Sequence, residues 1–279
     1  MNPLQEKRAG LPAAAAQLAQ IAPTLARVPA APAANATIDA TADTADTAVE
    51  TAARTGTTAP ATGAPAPAAA VAAELVTVHA PRGPVAEAFR TLRSRLASCA
   101  TATWDAGPAL AVVGTGRGGG RSWCAANLAV SMAQRGGPVL LLDANLRRPR
   151  LHRLFGLPHR GGLAALLAGP AALDAVQPVP QVPGLFLLAA GETPTHPLEL
   201  LEPPAFTRLL QALGERYVHV VVDTPAAAEG ADAAVIAARC DAALLVTRRD
   251  HDTLADLQAL RATLAQAGTA VAGVLLNGH

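Results

Sequence analysis

Aromatic side chains are scarce in this chain: Phe, Trp and Tyr make up 3% of its 279 residues. All of them lie between Phe89 and Tyr217, so residues 1–74 have none. That stretch is dominated by Ala, Thr and Pro, and such sequence buries too little apolar surface to offset its chain entropy. The expected organisation is a disordered tail over residues 1–75 and one folded domain over residues 76–279. Cysteine is also sparse. Cys99, Cys124 and Cys240 are odd in number and scattered without CxxC spacing, a set that fits reduced, cytoplasmic thiols better than a disulfide framework. No run of about 18 strongly apolar residues exists, so no transmembrane helix is expected. Lys7 and Arg8 lead into Ala-rich sequence, but Pro12, Gln17, Gln20 and Pro23 interrupt the apolar core that a signal peptide needs. The formal net charge is +1, so no global field draws nucleic acid or an acidic membrane.

Within the tail, Leu18, Ile21, Leu25 and Val28 fall at helical spacing. Pro23 sits in their middle, so an unstructured linker is preferred to a short docking helix. Beyond the tail, short apolar runs recur at 109–113, 139–142, 185–189, 218–222, 242–247 and 271–276. They are continuous in Val, Leu and Ala rather than alternating, as strands buried on both faces are. Helical patterns follow at 122–135, 198–215, 231–238 and 253–267. This alternation predicts an α/β fold, a doubly wound and mostly parallel sheet, with ligands at the carboxyl ends of the strands.

The first of those ends carries GTGRGGGRS at 114–122. A strand, a Gly-rich loop and a helix form the setting of a phosphate cradle, because glycine lets backbone N–H groups converge on oxygen and the helix terminus adds a favourable dipole. Gly116, Gly118, Gly119, Gly120, Arg121, Ser122 and Trp123 are the candidate nucleotide-binding residues, with Ser122 placed to reach Mg²⁺. A flexible turn is the plain alternative. Asp143 and Asp223 each end an apolar run. A carboxylate there can hold Mg²⁺ or accept a substrate proton, although a lone Asp in that position is more often a helix cap.

Five segments together resemble the bacterial tyrosine kinases (BY-kinases) of capsule and exopolysaccharide systems. They are EAFRTLR at 87–93, AANLAV at 125–130, LRRPRLHRLFGL at 146–157 with Gly162 and Leu163, GETPTHPLELL at 191–201, and DTP at 223–225 with Asp232. The resemblance runs from Glu87 to Asn277. It implies a P-loop ATPase of the MinD/ParA-like class that uses ATP and Mg²⁺. Asp143 would be the Walker A′ carboxylate and Asp223 the Walker B carboxylate. Ser122 would ligate Mg²⁺, and Arg121 would stand where the phosphate-binding lysine usually does. Glu87, Arg90 and Arg93 would mediate ring-like self-association, whereas charges at that spacing otherwise form a solvated helix face. The implied partner is a membrane-embedded chain-length determinant that recruits the kinase to the inner face of the membrane.

The sequence departs from the family at Arg121, at Gly119 where an acidic residue is usual, and at Asn145 where a second carboxylate is usual. Its sole tyrosine, Tyr217, precedes a predicted core strand, so autophosphorylation of a tyrosine tail is not expected. These departures keep open a catalytically weak scaffold of the same system. A ParA/MinD-type partitioning ATPase is the third reading. The seven histidines show no metal-ligand spacing. Arg147, Arg148 and Arg150 form either a phosphate or partner patch or a solvated basic turn. Asn277, at the end of the last apolar run, is a candidate for contact with a nucleotide base. Nothing resembles a nucleic-acid-binding module.

Overall fold

Eight strands form one sheet in the order β1-β8-β7-β2-β6-β3-β5-β4. In chain order they are β1 (Leu25–Val28), β2 (Ala109–Val113), β3 (Val139–Asp143), β4 (Val176–Pro178), β5 (Leu185–Leu188), β6 (His219–Asp223), β7 (Ala242–Arg248) and β8 (Val271–Asn277). The helices are α1 (Val76–His79), α2 (Pro84–Ser98), α3 (Arg121–Ala133), α4 (Leu151–Leu154), α5 (Leu163–Ala168), α6 (Pro197–Leu201), α7 (Pro204–Gly214), α8 (Asp232–Ala237) and α9 (Leu254–Gln266). The structure is a computed structural model that describes residues 71–98, 109–159, 161–169, 175–202 and 204–278, together with the backbone of Leu25–Val28. These residues fall in one of two compact units, and the other, Pro32–Ala68, lies outside them.

The expected strands form because their side chains are apolar at successive positions, so both sheet faces can be covered. Alternation along each strand sorts them. Leu110, Val112, Val139, Leu141, Val221, Leu244 and Val246 pack on one face with Phe89 and Leu92 of α2 and with Ala125, Leu128 and Met132 of α3. Leu140, Leu142, Val220 and Val222 face the other way, onto Phe206, Leu210 and Leu213 of α7. Ala243 and Leu245 meet Leu257, Leu260 and Leu264 of α9 on that same side. Each fully buried Leu or Phe contributes about 1.5–3 kcal/mol over an exposed one, so truncating Phe206 to alanine would cost about 3–5 kcal/mol.

All strand pairs are parallel except β4 with β5. From β2 the chain moves to β3 on one side, and β7 and β8 lie on the other. The reversal brings the loop after β2 to the ligand-binding edge of a doubly wound sheet.

Three expectations are corrected. Leu25–Val28 is a strand, parallel to β8, and not part of a helix or linker. The rest of the expected tail up to residue 70 lies outside the described residues. Its boundary also moves, because Val71 and Leu75 are buried in the core. The single helix expected over 198–215 is two, α6 and α7, each beginning with proline, which suits a first turn but breaks a helix interior. The antiparallel strand β4 was not expected: Val176–Pro178 is too short to show a period. Trp104 and Cys99 fall outside the described residues, and Cys124 and Cys240 are free thiols.

Candidate functional site

Strand β2 stops at Val113, and the loop over 114–120 delivers the chain into α3. Gly120 caps α3 at φ +83°, a left-handed conformation costly for other residues, and supplies no side chain to the first turn. The N–H groups of that turn are left for an oxygen-rich ligand. Space explains the glycines as well. A Cβ on Gly114 would lie 2.7 Å from the Val246 carbonyl oxygen, and one on Gly120 would collide with Asn277 Nδ2. The loop is tied down from outside by Thr115 Oγ1, which donates to Asp252 Oδ1 at 2.6 Å. Asp252 in turn accepts from the Arg248 amide at 2.6 Å. From beneath, Asn277 Nδ2 donates to the Gly119 carbonyl at 3.2 Å.

Asp143 and Asp223 are directly paired in register on β3 and β6, and both are fully buried. Their surroundings differ. Asp143 Oδ1 accepts from the Asn145 amide at 3.2 Å, and its Oδ2 accepts from the amides of Arg150 at 3.2 Å and Leu151 at 3.1 Å. These bonds fold the chain after β3 around the carboxylate. Neither oxygen of Asp223 has a hydrogen-bond partner of good geometry, although the Ser122 hydroxyl lies near enough to favour its charge. Burial pushes Asp223 up to about 6, against the pull of Ser122 and Arg121. Burial and the neighbouring Asp223 raise Asp143 well above the usual carboxylate range. Two bare, buried carboxylate oxygens beside a hydroxyl are a hard oxygen set that suits Mg²⁺.

Arg121 replaces the expected lysine without projecting as one. Its Nη1 donates to the Gly116 carbonyl at 2.5 Å and its Nε to the Thr224 carbonyl at 3.3 Å. The planar fork therefore turns back under the loop, whereas an ammonium would be a compact point charge. Burial lowers its pKa while the Asp223 charge opposes that shift.

The loop opens onto a cleft of about 690 Å³ lined by Arg117, Ser122, Trp123, Asn145, Arg148 and His152 among others. Across its rim, Glu229 Oε1 takes Arg117 Nε at 2.5 Å and lies 3.7 Å from Arg148 Nε. Burial alone would raise Glu229, but Arg117 and the Ala226 amide hold it low. Arg147 makes a two-pronged pair with buried Asp232, at 3.1 and 3.0 Å. The rings of His152 and His159, also in the lining, stack at 3.9 Å.

The fold thus gathers Gly116, Gly118, Gly119, Gly120, Arg121, Ser122, Asp143 and Asp223 at one edge. Trp123 lines the cleft while its Nε1 donates to the Glu74 carbonyl at 2.7 Å and its ring meets Phe89 edge-on. Asn277 is buried at the end of β8, and its side chain is bonded to the Gly119 carbonyl and so supports the loop. Glu87 and Arg90 pair with each other along α2 at 2.7 Å. Arg93 donates to the Ser131 carbonyl on α3. Asp252 and Glu229 escaped the sequence reading. Asp252 lies four residues beyond β7, too far from the apolar run for the rule that found Asp143, and Glu229 acquires its role only by folding.

Residues 108–269 match the family model of the Cellulose biosynthesis protein BcsQ. Over 204 residues the chain is 39% identical to EpsB of Ralstonia solanacearum, a provisionally named tyrosine-protein kinase, taking in 73% of this chain and 27% of that protein. The chain spans about a quarter of the length of these curated tyrosine-kinase relatives. The kinase domain of the Escherichia coli tyrosine kinase Etk is 32% identical with a TM-score of 0.70, over 73% of this chain and 79% of that one. MinD of Pyrococcus horikoshii complexed with Mg-ADP is 26% identical with a TM-score of 0.53, over 61% of this chain and 70% of that one.

Proposed function

The chain belongs to the bacterial tyrosine-kinase family, within the P-loop group that the BcsQ model describes, and on that premise we propose that it binds Mg-ATP and transfers the γ-phosphoryl group to a protein hydroxyl. Its place is the regulation of exopolysaccharide or capsule synthesis, beside a membrane-embedded chain-length determinant that activates it. No helix among the described residues is long and apolar enough to cross a membrane.

The observation that carries this reading is the in-register pair of buried aspartates at the mouth of a glycine loop, one carboxylate engaged by backbone and one bare. Loop amides at 116–122 orient the phosphate oxygens. Ser122 and Asp223 would hold Mg²⁺, which when bound supplies charge neutralisation on the phosphates. Asp143, its loop fixed by three amides, accepts the proton of the attacking hydroxyl, for which its raised affinity for a proton is suited. Asn145 keeps an oxygen in the family's second acidic position, and that oxygen accepts the Arg148 amide at 3.1 Å.

A scaffold without turnover is the second reading, and the folded-back Arg121 favours it. Its guanidinium is already bonded to Gly116 and Thr224, so phosphate must compete for it. Calorimetric titration of Mg-ATP into the native chain and the Arg121→Lys variant separates the two. Micromolar binding and transfer by the native chain support the kinase. No binding by the native chain, with a gain in the lysine variant, supports the scaffold.

A further inference from the structure

The end of the sheet away from the phosphate loop carries a second cavity. It holds about 650 Å³ and is walled by Arg93 of α2, Met132 and Arg135 at the end of α3, and Arg216, Tyr217, Val218 and His219 on the way into β6. Three guanidinium groups and an imidazole surround it, and Glu215 is the acidic residue in its lining. Arg135 and Arg216 have no ion-pair partner among the described residues, and Arg93 is engaged by a neutral carbonyl, that of Ser131. The crowding is felt electrostatically. Burial and then the neighbouring Arg135 lower the pKa of Arg93, and the same two causes lower His219. One wall is apolar, since Val218 is 47% exposed, the largest apolar side chain left open to water among the described residues.

We propose that this cavity is a binding site for a small anion bearing a diphosphate group, separate from the nucleotide loop. Three arginines against one glutamate leave an excess of positive charge that one carboxylate would not balance and a diphosphate would. The guanidinium fork matches the spacing of phosphate oxygens. The volume is that of a small-molecule site, and Val218 with the Tyr217 ring gives an organic portion of the ligand an apolar surface. The carboxyl end of α3 repels an anion, so the arginines carry the binding. The same helix begins at the phosphate loop, about 20 Å away along its axis. An anion clasped between α2, α3 and the entrance to β6 therefore bears on the element that cradles the nucleotide.

The test is calorimetric titration of inorganic pyrophosphate into the full chain and into the Arg135→Ser, Arg216→Ser double variant. Both arginines are exposed and lie just beyond the ends of α3 and α7, so the melting temperature should hold. One equivalent bound by the native chain should weaken by about tenfold or more in the variant, while any equivalent held at the phosphate loop stays. The Arg135→Lys, Arg216→Lys pair should keep part of the affinity, which a merely structural loss would not do. Unchanged uptake by the serine variant overturns the proposal. So does unchanged uptake with a smaller particle in sedimentation, which would make the patch a contact between copies.

Discussion

The chain turns after β3 and after β6 begin alike and end differently. Each strand finishes in a fully buried aspartate, and the two are paired in register. Around Asp143 the next eight residues fold back to supply three amide donors, so that carboxylate organises its own loop. After Asp223 the chain leaves directly: Thr224 Oγ1 donates to the Val112 carbonyl at 2.8 Å, and Asp223 is left bare. One acid shapes the site and the other waits for a ligand. Burying a bare carboxylate costs stability, and a protein retains it where binding needs it.

Asp223→Ala should separate the two most. Phosphoryl transfer should fall about a hundredfold or more, while the nucleotide-free protein should become more stable at pH 8, by roughly 1–3 kcal/mol in denaturant melts. A loss of stability instead would mean that the carboxylate is satisfied in the folded chain. Asp143→Ala should also lose transfer but stabilise less than Asp223→Ala in the same melts, because the removal of its raised, buried carboxylate is offset by three amides that lose their acceptor.

The pH dependence sharpens the same contrast. Asp223 is raised from the ordinary 3.8 to about 6, so the folded state holds a proton that the unfolded state has released between those values. Stability of the nucleotide-free chain should therefore fall as pH rises from about 4 to beyond 6. Asp223→Asn should reduce that slope and leave the part due to Asp143, which is raised as well; thermal melts across the range would show this. The smallest effect is expected at a helix cap. Thr253 caps α9 by accepting from the Asp256 amide at 3.1 Å, and Thr253→Ala should cost about 1 kcal/mol without changing the nucleotide affinity.

Much of this was legible before folding. Continuous apolar runs marked six of the eight strands to within a residue or so, because a strand buried on both faces tolerates little else. The glycines of 114–120 and the acids at 143 and 223 stood out together: phosphate binding requires open backbone, and two acids that end apolar runs beside such a loop suit a metal-bound phosphate. Weak patterns failed. Three residues of β4 and four of β1 are too short to show a period, and both join the sheet through backbone bonds that any sequence can make.

Sequence by itself thus determined the family, the sheet class and the edge at which the chemistry sits, since these depend on residue type and spacing along the chain. Only the tertiary structure decided how each group is used. Arg121 folds under its loop, Asn277 props that loop, and Glu229 bridges Arg117 and Arg148. Arg93, Arg135 and Arg216 meet around one cavity although long stretches of chain separate them. Hydrogen bonds and charges act over a few ångströms of space, and which residues come that close is set by how the layers pack.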